Sequence, residues 1–185
     1  MAQAVQRRRQ AKQQQSGSNV FGLLVVLALV FGLGYYGWMT LTTGDWMWWS
    51  STFEAQPRTI AVVENGQRTE IDPSDPAFNA IAAAFNQSIS AGYRDPMVGF
   101  SDPTWEIVEQ RSVYVEASYA EPIKLHGEFV PTTQLRLVLD GEKLHQPEAL
   151  FRFGDDDWDR SPIVLETVEP LATALQQHGF AGTTQ

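Results

Sequence analysis

Twenty consecutive residues, Val20 to Met39, carry no charged side chain, and this stretch limits how the chain can fold more than any other feature. At about 1.5 Å per helical residue, such a stretch reaches roughly 30 Å, the thickness of a bilayer's hydrocarbon core. Arg7, Arg8, Arg9 and Lys12 precede it, and aromatic residues follow it. A cleaved secretory signal shares this plan, but its apolar region spans about 7–15 residues and ends at a small-residue cleavage site. Here the run continues into Tyr35, Tyr36 and Trp38, and no A-x-A-like site follows. The chain has no cysteine, which excludes a lipid-modified cysteine after the run. The expectation is an uncleaved transmembrane signal anchor over residues 19–42.

Lys and Arg near a spanning helix are retained on the cytoplasmic side. All four tail cations, Arg7, Arg8, Arg9 and Lys12, lie before the helix, and the next cation after it is Arg58. The N-terminus is therefore expected inside the cell membrane and the C-terminal region outside it. Tyr35, Tyr36, Trp38, Trp46, Trp48 and Trp49 fall where an aromatic belt forms at the outer interface, and four of the six tryptophans lie between Trp38 and Trp49. Amphipathic rings at that level anchor the helix. Ala28 and Gly32 form a small-xxx-small pair, extended by Gly34 and Gly37, that would admit a neighbouring helix closely.

The net charge of -9 conceals a division at the membrane. The tail has four cations and no acid, whereas the region after the helix holds all 22 acids against nine Lys and Arg, a formal charge of -13. Such a surface repels nucleic acid and anionic headgroups. Residues 1–18 read as a basic, flexible cytoplasmic tail, because Gln13 to Ser18 has too few apolar side chains to build a core. Residues 43–58 read as a tryptophan-rich juxtamembrane linker, 59–180 as one globular domain, and 181–185 as a flexible C-terminus. Without disulfides, that domain depends on packing alone.

Its elements suggest an α+β fold. Thr59 to Val63 is β-branched, Asn65-Gly66 signals a hairpin turn, and Arg68 to Asp72 alternates. Asp75-Pro76 offers an N-cap and a first helical residue, and Phe78, Ile81, Ala82, Phe85 and Ile89 recur at helical spacing until Gly92. Gly92 to Pro103 reads as an ordered loop. Trp105 to Glu109, Ser112 to Tyr119, Gln134 to Leu139 and Ala149 to Phe153 read as strands, with Asp140-Gly141 as a turn. Val168, Leu171, Ala172 and Leu175 share a helical face that Gly179 ends. Strands in succession favour a mainly antiparallel sheet with about two helices packed on one face.

Three places merit attention for chemistry. In Asp155-Asp156-Asp157-Trp158-Asp159, Asp155, Asp157 and Asp159 together with Glu166 fall at positions 1, 3, 5 and 12 of a calcium-loop pattern. Position 6 of that pattern needs glycine and holds Arg160, and Pro162 constrains the loop further. A solvated acidic turn is the simpler reading, with calcium as the one cofactor the sequence offers. His126, His145 and His178 are scattered and read as surface or loop residues, His178 near a helix C-terminus. Tyr93, Met97, Phe100, Trp105, Tyr114 and Tyr119 fit a core, or a contact surface if left exposed together.

No G-x-S-x-G elbow, G-x-x-x-x-G-K-[ST] phosphate loop, H-E-x-x-H or G-x-G-x-x-G after a strand occurs. An enzyme is not expected. The expectation is a single-pass, membrane-anchored extracytoplasmic protein-interaction domain, an accessory subunit whose partners are the bilayer and another membrane or extracytoplasmic protein. A tethered small-ligand or calcium-binding domain is the alternative.

Overall fold

The computed structural model describes residues 2–50, 52–94, 99–126, 130–139, 148–154 and 156–180; side chains before residue 20 and that of Arg94 fall outside the description. The chain divides into two units, Met1–Trp46 and Met47–Gln185.

The first unit is built on one helix, α1, Ala2–Thr43. Its segment Val20–Thr43, 24 residues, is long and apolar enough to cross a membrane, and none of its most apolar stretch is buried. Helical backbone also runs through residues 2–18, the stretch expected as a flexible tail. Alanine, glutamine, arginine and lysine are all good helix formers, and Gly17 is the tail's one glycine. At the other end Gly44 adopts φ +64 and its N–H donates to the Thr40 carbonyl at 2.9 Å. A left-handed residue there turns the chain out of the helix, and glycine adopts that conformation without a Cβ clash.

In the second unit, β1 (Thr59–Glu64) and β2 (Gln67–Ile71) form the expected hairpin. Its turn residues Asn65 and Gly66 have φ 51 and 79, the paired positive values of a two-residue type I′ turn. Helix α2, Pro76–Ser90, begins where Asp75 accepts a hydrogen bond from the Ala77 N–H at 2.8 Å. Its expected apolar face, Phe78, Ile81, Ala82, Phe85 and Ile89, is buried. There follow β3 (Tyr93–Arg94), α3 (Asp102–Arg111), β4 (Val113–Ile123), β5 (Thr132–Val138), β6 (Ala149–Arg152), β7 (Ile163–Leu165) and α4 (Glu169–Gln177). The seven strands form one sheet in the order β2-β1-β4-β5-β6-β7-β3, and every pairing is antiparallel. The α+β class and the antiparallel sheet thus stand as expected.

Three expectations need correction. Trp105 to Glu109 belongs to α3 rather than to a strand; Ser101 sits at the N-cap, Pro103 lies in the first turn, and Trp105 and Val108 are buried one turn apart. Three helices therefore pack on the sheet, and they cover both faces. Helices α2 and α4 bury Phe85, Ile89, Leu171 and Leu175 against Ile60, Val62, Val115, Leu137 and Ile163. On the opposite face, α3 buries Trp105 and Val108 against Val63, Tyr114, Val138 and Phe151. Adjacent residues Val62 and Val63 go to different cores because successive strand side chains point to opposite faces. The globular unit also starts earlier than Thr59. Phe53 is buried in the α2 core, its N–H bonded to the Ser90 hydroxyl at 2.8 Å, and the Asn86 amide donates to the Ala55 carbonyl at 3.0 Å. The Asp140-Gly141 turn and residues 181–185 lie outside the described residues.

Candidate functional site

The densest polar construction in the second unit surrounds Arg136, which β5 presents to the α3 side of the sheet. Only 5% of the residue is exposed. An isolated buried cation is costly, so its partners decide whether it can stay. Nε and Nη2 both donate to Glu116 Oε1 on the adjacent strand β4, at 3.1 and 2.9 Å. Glu116 Oε2 accepts from Arg68 of β2 in turn, so one carboxylate joins two guanidiniums. Nη1 has no hydrogen-bond partner among the described residues, and its nearest carboxylate oxygen, Glu109 Oε1 on α3, is 3.9 Å away. That separation gives attraction without a hydrogen bond.

Aromatic rings close the remaining sides. The Arg136 guanidinium carbon lies 4.3 Å from the centroid of Trp158, 4.5 Å from Tyr114 and 5.1 Å from Trp105. The negative face of each ring attracts the cation. Trp105 also meets Phe151 edge-on at 5.1 Å, and Phe100 meets the same ring at 5.2 Å. Burial lowers the Arg136 pKa from its ordinary value, opposed by the nearby Tyr114, Glu109 and Asp157. Burial raises the Tyr114 phenol, with Arg136 opposing it. Since a guanidinium stays protonated in proteins, the group has no proton to exchange. It supplies cohesion among β2, β4, β5, α3 and the turn that carries Trp158.

Sequence reading did not single out Arg136, Glu116 or Glu109. A signal was present: Arg136 interrupts the apolar run Leu135-Arg136-Leu137-Val138-Leu139, and Glu116 interrupts Val113 to Tyr119. The aromatic group that was singled out is divided by the sheet. Trp105, Tyr114 and Phe100 belong to the α3 side, whereas Tyr93 and Tyr119 belong to the α2 and α4 side. Met97 lies outside the described residues.

In the acidic run the carboxylates turn to local partners. Asp157 Oδ1 accepts from the Trp158 N–H at 2.7 Å. Asp159 Oδ2 accepts from Arg152 at 3.1 Å, and its Oδ1 from the Ser161 N–H at 2.9 Å. Arg160 pairs with Asp102. The Asp159 N–H bonds to the Arg152 carbonyl at one end of the β6–β7 pair, and the Leu165 N–H to the Glu148 carbonyl at the other. About 13 Å of strand therefore separates Leu165 from Asp159, and Glu166 lies one residue beyond. Asp155 lies outside the described residues, and among those described no group of three or more His, Cys, Asp or Glu is placed to hold a metal ion. His126 accepts the Tyr93 phenol at its carbonyl, and His178 closes α4 through its N–H to the Ala174 and Leu175 carbonyls; His145 lies outside the described residues.

On the first unit, Tyr35, Trp38 and Trp46 are exposed and Tyr36 is half-buried, its phenol donating to the Trp46 carbonyl at 3.1 Å. Trp48 and Trp49, which begin the second unit, stack edge-on at 5.8 Å. Ala28 and Gly32 are exposed on the helix, and a Cβ added at Gly32, Gly34 or Gly37 would meet nothing within 4 Å. The side chains of Arg7, Arg8, Arg9 and Lys12 lie outside the description. Searches against protein-family models, curated proteins and solved structures find no match to this chain.

Proposed function

We propose that the chain is a single-pass membrane protein, N-terminus in the cytoplasm, whose α+β unit stands on the outer side and binds another protein as an accessory subunit of a membrane complex. The observation that carries this reading is α1: a 24-residue apolar segment whose most apolar stretch its own fold leaves exposed. Water is a poor solvent for such a surface, so lipid and a neighbouring helix are its natural surroundings. The cations at Arg7, Arg8, Arg9 and Lys12 favour the proposed orientation. Tyr35, Tyr36, Trp38, Trp46, Trp48 and Trp49 act as the outer interfacial anchor. Ala28 and Gly32 are the place of closest helix approach. The outer region's charge of -13 disfavours nucleic acid as a partner.

The test is purification of the full chain from native membranes in mild detergent, alongside the double variant A28L/G32L. A membrane protein recovered in stoichiometric amount with the wild type and lost with the variant is the expected result. Recovery of the chain alone from both preparations would overturn the accessory role.

A further inference from the structure

Among the described residues, one edge of the sheet is left open. Strand β2 ends the sheet order, and Gln67, Arg68, Thr69 and Glu70 are exposed. The two-residue turn makes Glu64 and Gln67 a hydrogen-bonded pair, and alternation extends that state to Val62 with Thr69 and to Ile60 with Ile71. The next residue of β1's chain agrees: the Asn65 N–H donates in the other direction, to the Ser112 carbonyl at 3.3 Å. Arg68 and Glu70 are therefore the residues whose backbone N–H and C=O point out of the free edge.

We infer that two copies of the chain associate through antiparallel pairing of β2 with β2 about a two-fold axis at Thr69. In that register Arg68 stands opposite Glu70 of the partner subunit, and Glu70 opposite Arg68 of the partner subunit. Both are outward-bonding residues, so each pair exchanges two backbone hydrogen bonds while opposite charges meet across it. Thr69 faces Thr69 of the partner subunit as the non-hydrogen-bonded pair. Other registers lose this agreement. Centring on Arg68 or on Glu70 sets like charges face to face, centring on Ile71 sets Glu70 against Asp72, and a shift by half a step puts outward groups against inward ones. On its own side Arg68 also pairs with Glu116, so the contact would continue the chain of charges from Arg136 across the dimer.

A five-residue edge is small beside a stable soluble interface of about 1,200–2,000 Å². Confinement of both copies to one bilayer supplies the missing concentration. The inference goes beyond the accessory role proposed above and shares with it only the membrane anchor.

The chain has no cysteine, so engineered thiols report the register directly. In membranes holding the full chain, oxidised with copper phenanthroline, T69C should form a disulfide-linked dimer, because Cα atoms of a non-hydrogen-bonded pair lie about 4.5 Å apart, within disulfide reach. Q67C, on the same face, would lie about 14 Å from its counterpart and should cross-link at least about tenfold more slowly. Adding R68E to T69C should slow dimer formation by about tenfold, and the swap R68E/E70R should restore it although Arg68 no longer meets Glu116. Equal rates for T69C and Q67C, failure of the swap to restore dimer, or a T69C adduct with a different protein would each overturn the inference. Alkaline extraction of the same membranes reads the anchor separately: chain released into the supernatant counts against the membrane reading, chain retained without dimer counts against the β2 pairing alone.

Discussion

Two buried polar side chains on opposite faces of the sheet show how differently such groups are tolerated. Arg136 keeps its charge because Glu116 and three aromatic rings replace water. Arg136→Met removes one side of that arrangement and leaves Glu116 with Arg68 alone. The expected cost is about 3 kcal/mol, read as a lower urea midpoint of the α+β unit; Arg136→Lys should recover only part, since an ammonium lacks the planar fork. A wild-type midpoint in Arg136→Met would show the clamp to be dispensable. Tyr119, 7% exposed, has a hydroxyl without a hydrogen-bond partner among the described residues, and burial pushes its phenol pKa up. Tyr119→Phe should therefore be neutral or stabilising by about 1 kcal/mol. The pH dependence follows from the sign of the shift. Below about pH 10, the ordinary tyrosine value, both folded and unfolded phenols are protonated. Above it the unfolded chain loses the proton first, so stability falls as pH rises toward the folded value. The Tyr119→Phe variant should show a shallower alkaline loss than wild type, measured from urea midpoints between neutral pH and pH 11. Tyr119 was singled out beforehand only as one aromatic among six and Arg136 not at all, because burial and partners across strands arise only from the fold.

At the scale of elements, legibility followed the strength of local signals. The hairpin was readable because Asn65 and Gly66 supply the positive φ values that a type I′ turn demands. Helix α2 was readable because cap and periodicity agree. Asp75→Ala removes the side chain that accepts from the Ala77 N–H and should lower stability by about 1 kcal/mol, while Asp75→Asn keeps most of it. An Asp75→Ala midpoint equal to wild type would mean that the cap is replaced locally. Helix α3 escaped because its ten residues bury just Trp105 and Val108, too few for a visible period, and because Trp105, Ile107 and Val108 favour strands by composition. The Ser101-Asp102-Pro103 start signal was in the sequence, and it outweighs β propensity here because the sheet's second face needs a cover. Strands β3 and β7, of two and three residues, carry no periodicity of their own. Their place is set by pairing with each other and of β7 with β6.

For the whole molecule, the two units follow different rules. Residues from Met47 onward close two cores around one sheet, so their stability is internal. The most apolar stretch of α1 buries nothing within its own fold, so its stability depends on surroundings. That difference is why the apolar helix was the most legible part of the sequence: hydropathy over a single helix needs no tertiary partner to be interpreted, whereas the Arg136 clamp needs four elements placed correctly. The proposed orientation rests on charge alone. Four tail cations resist transfer across the membrane, while the acidic unit, at -13, contributes little to retention on either side. In intact cells, a protease added from outside should cut within residues 47–185 and spare an epitope fused before residue 2. Replacing Arg7, Arg8, Arg9 and Lys12 together with glutamine should raise the fraction inserted with the opposite orientation, because the helix would then lack its retained end. If the α+β unit stays protected in wild-type cells and becomes accessible only after lysis, the charge asymmetry does not set the topology. The acidic unit and its β2 edge would then face the cytoplasm.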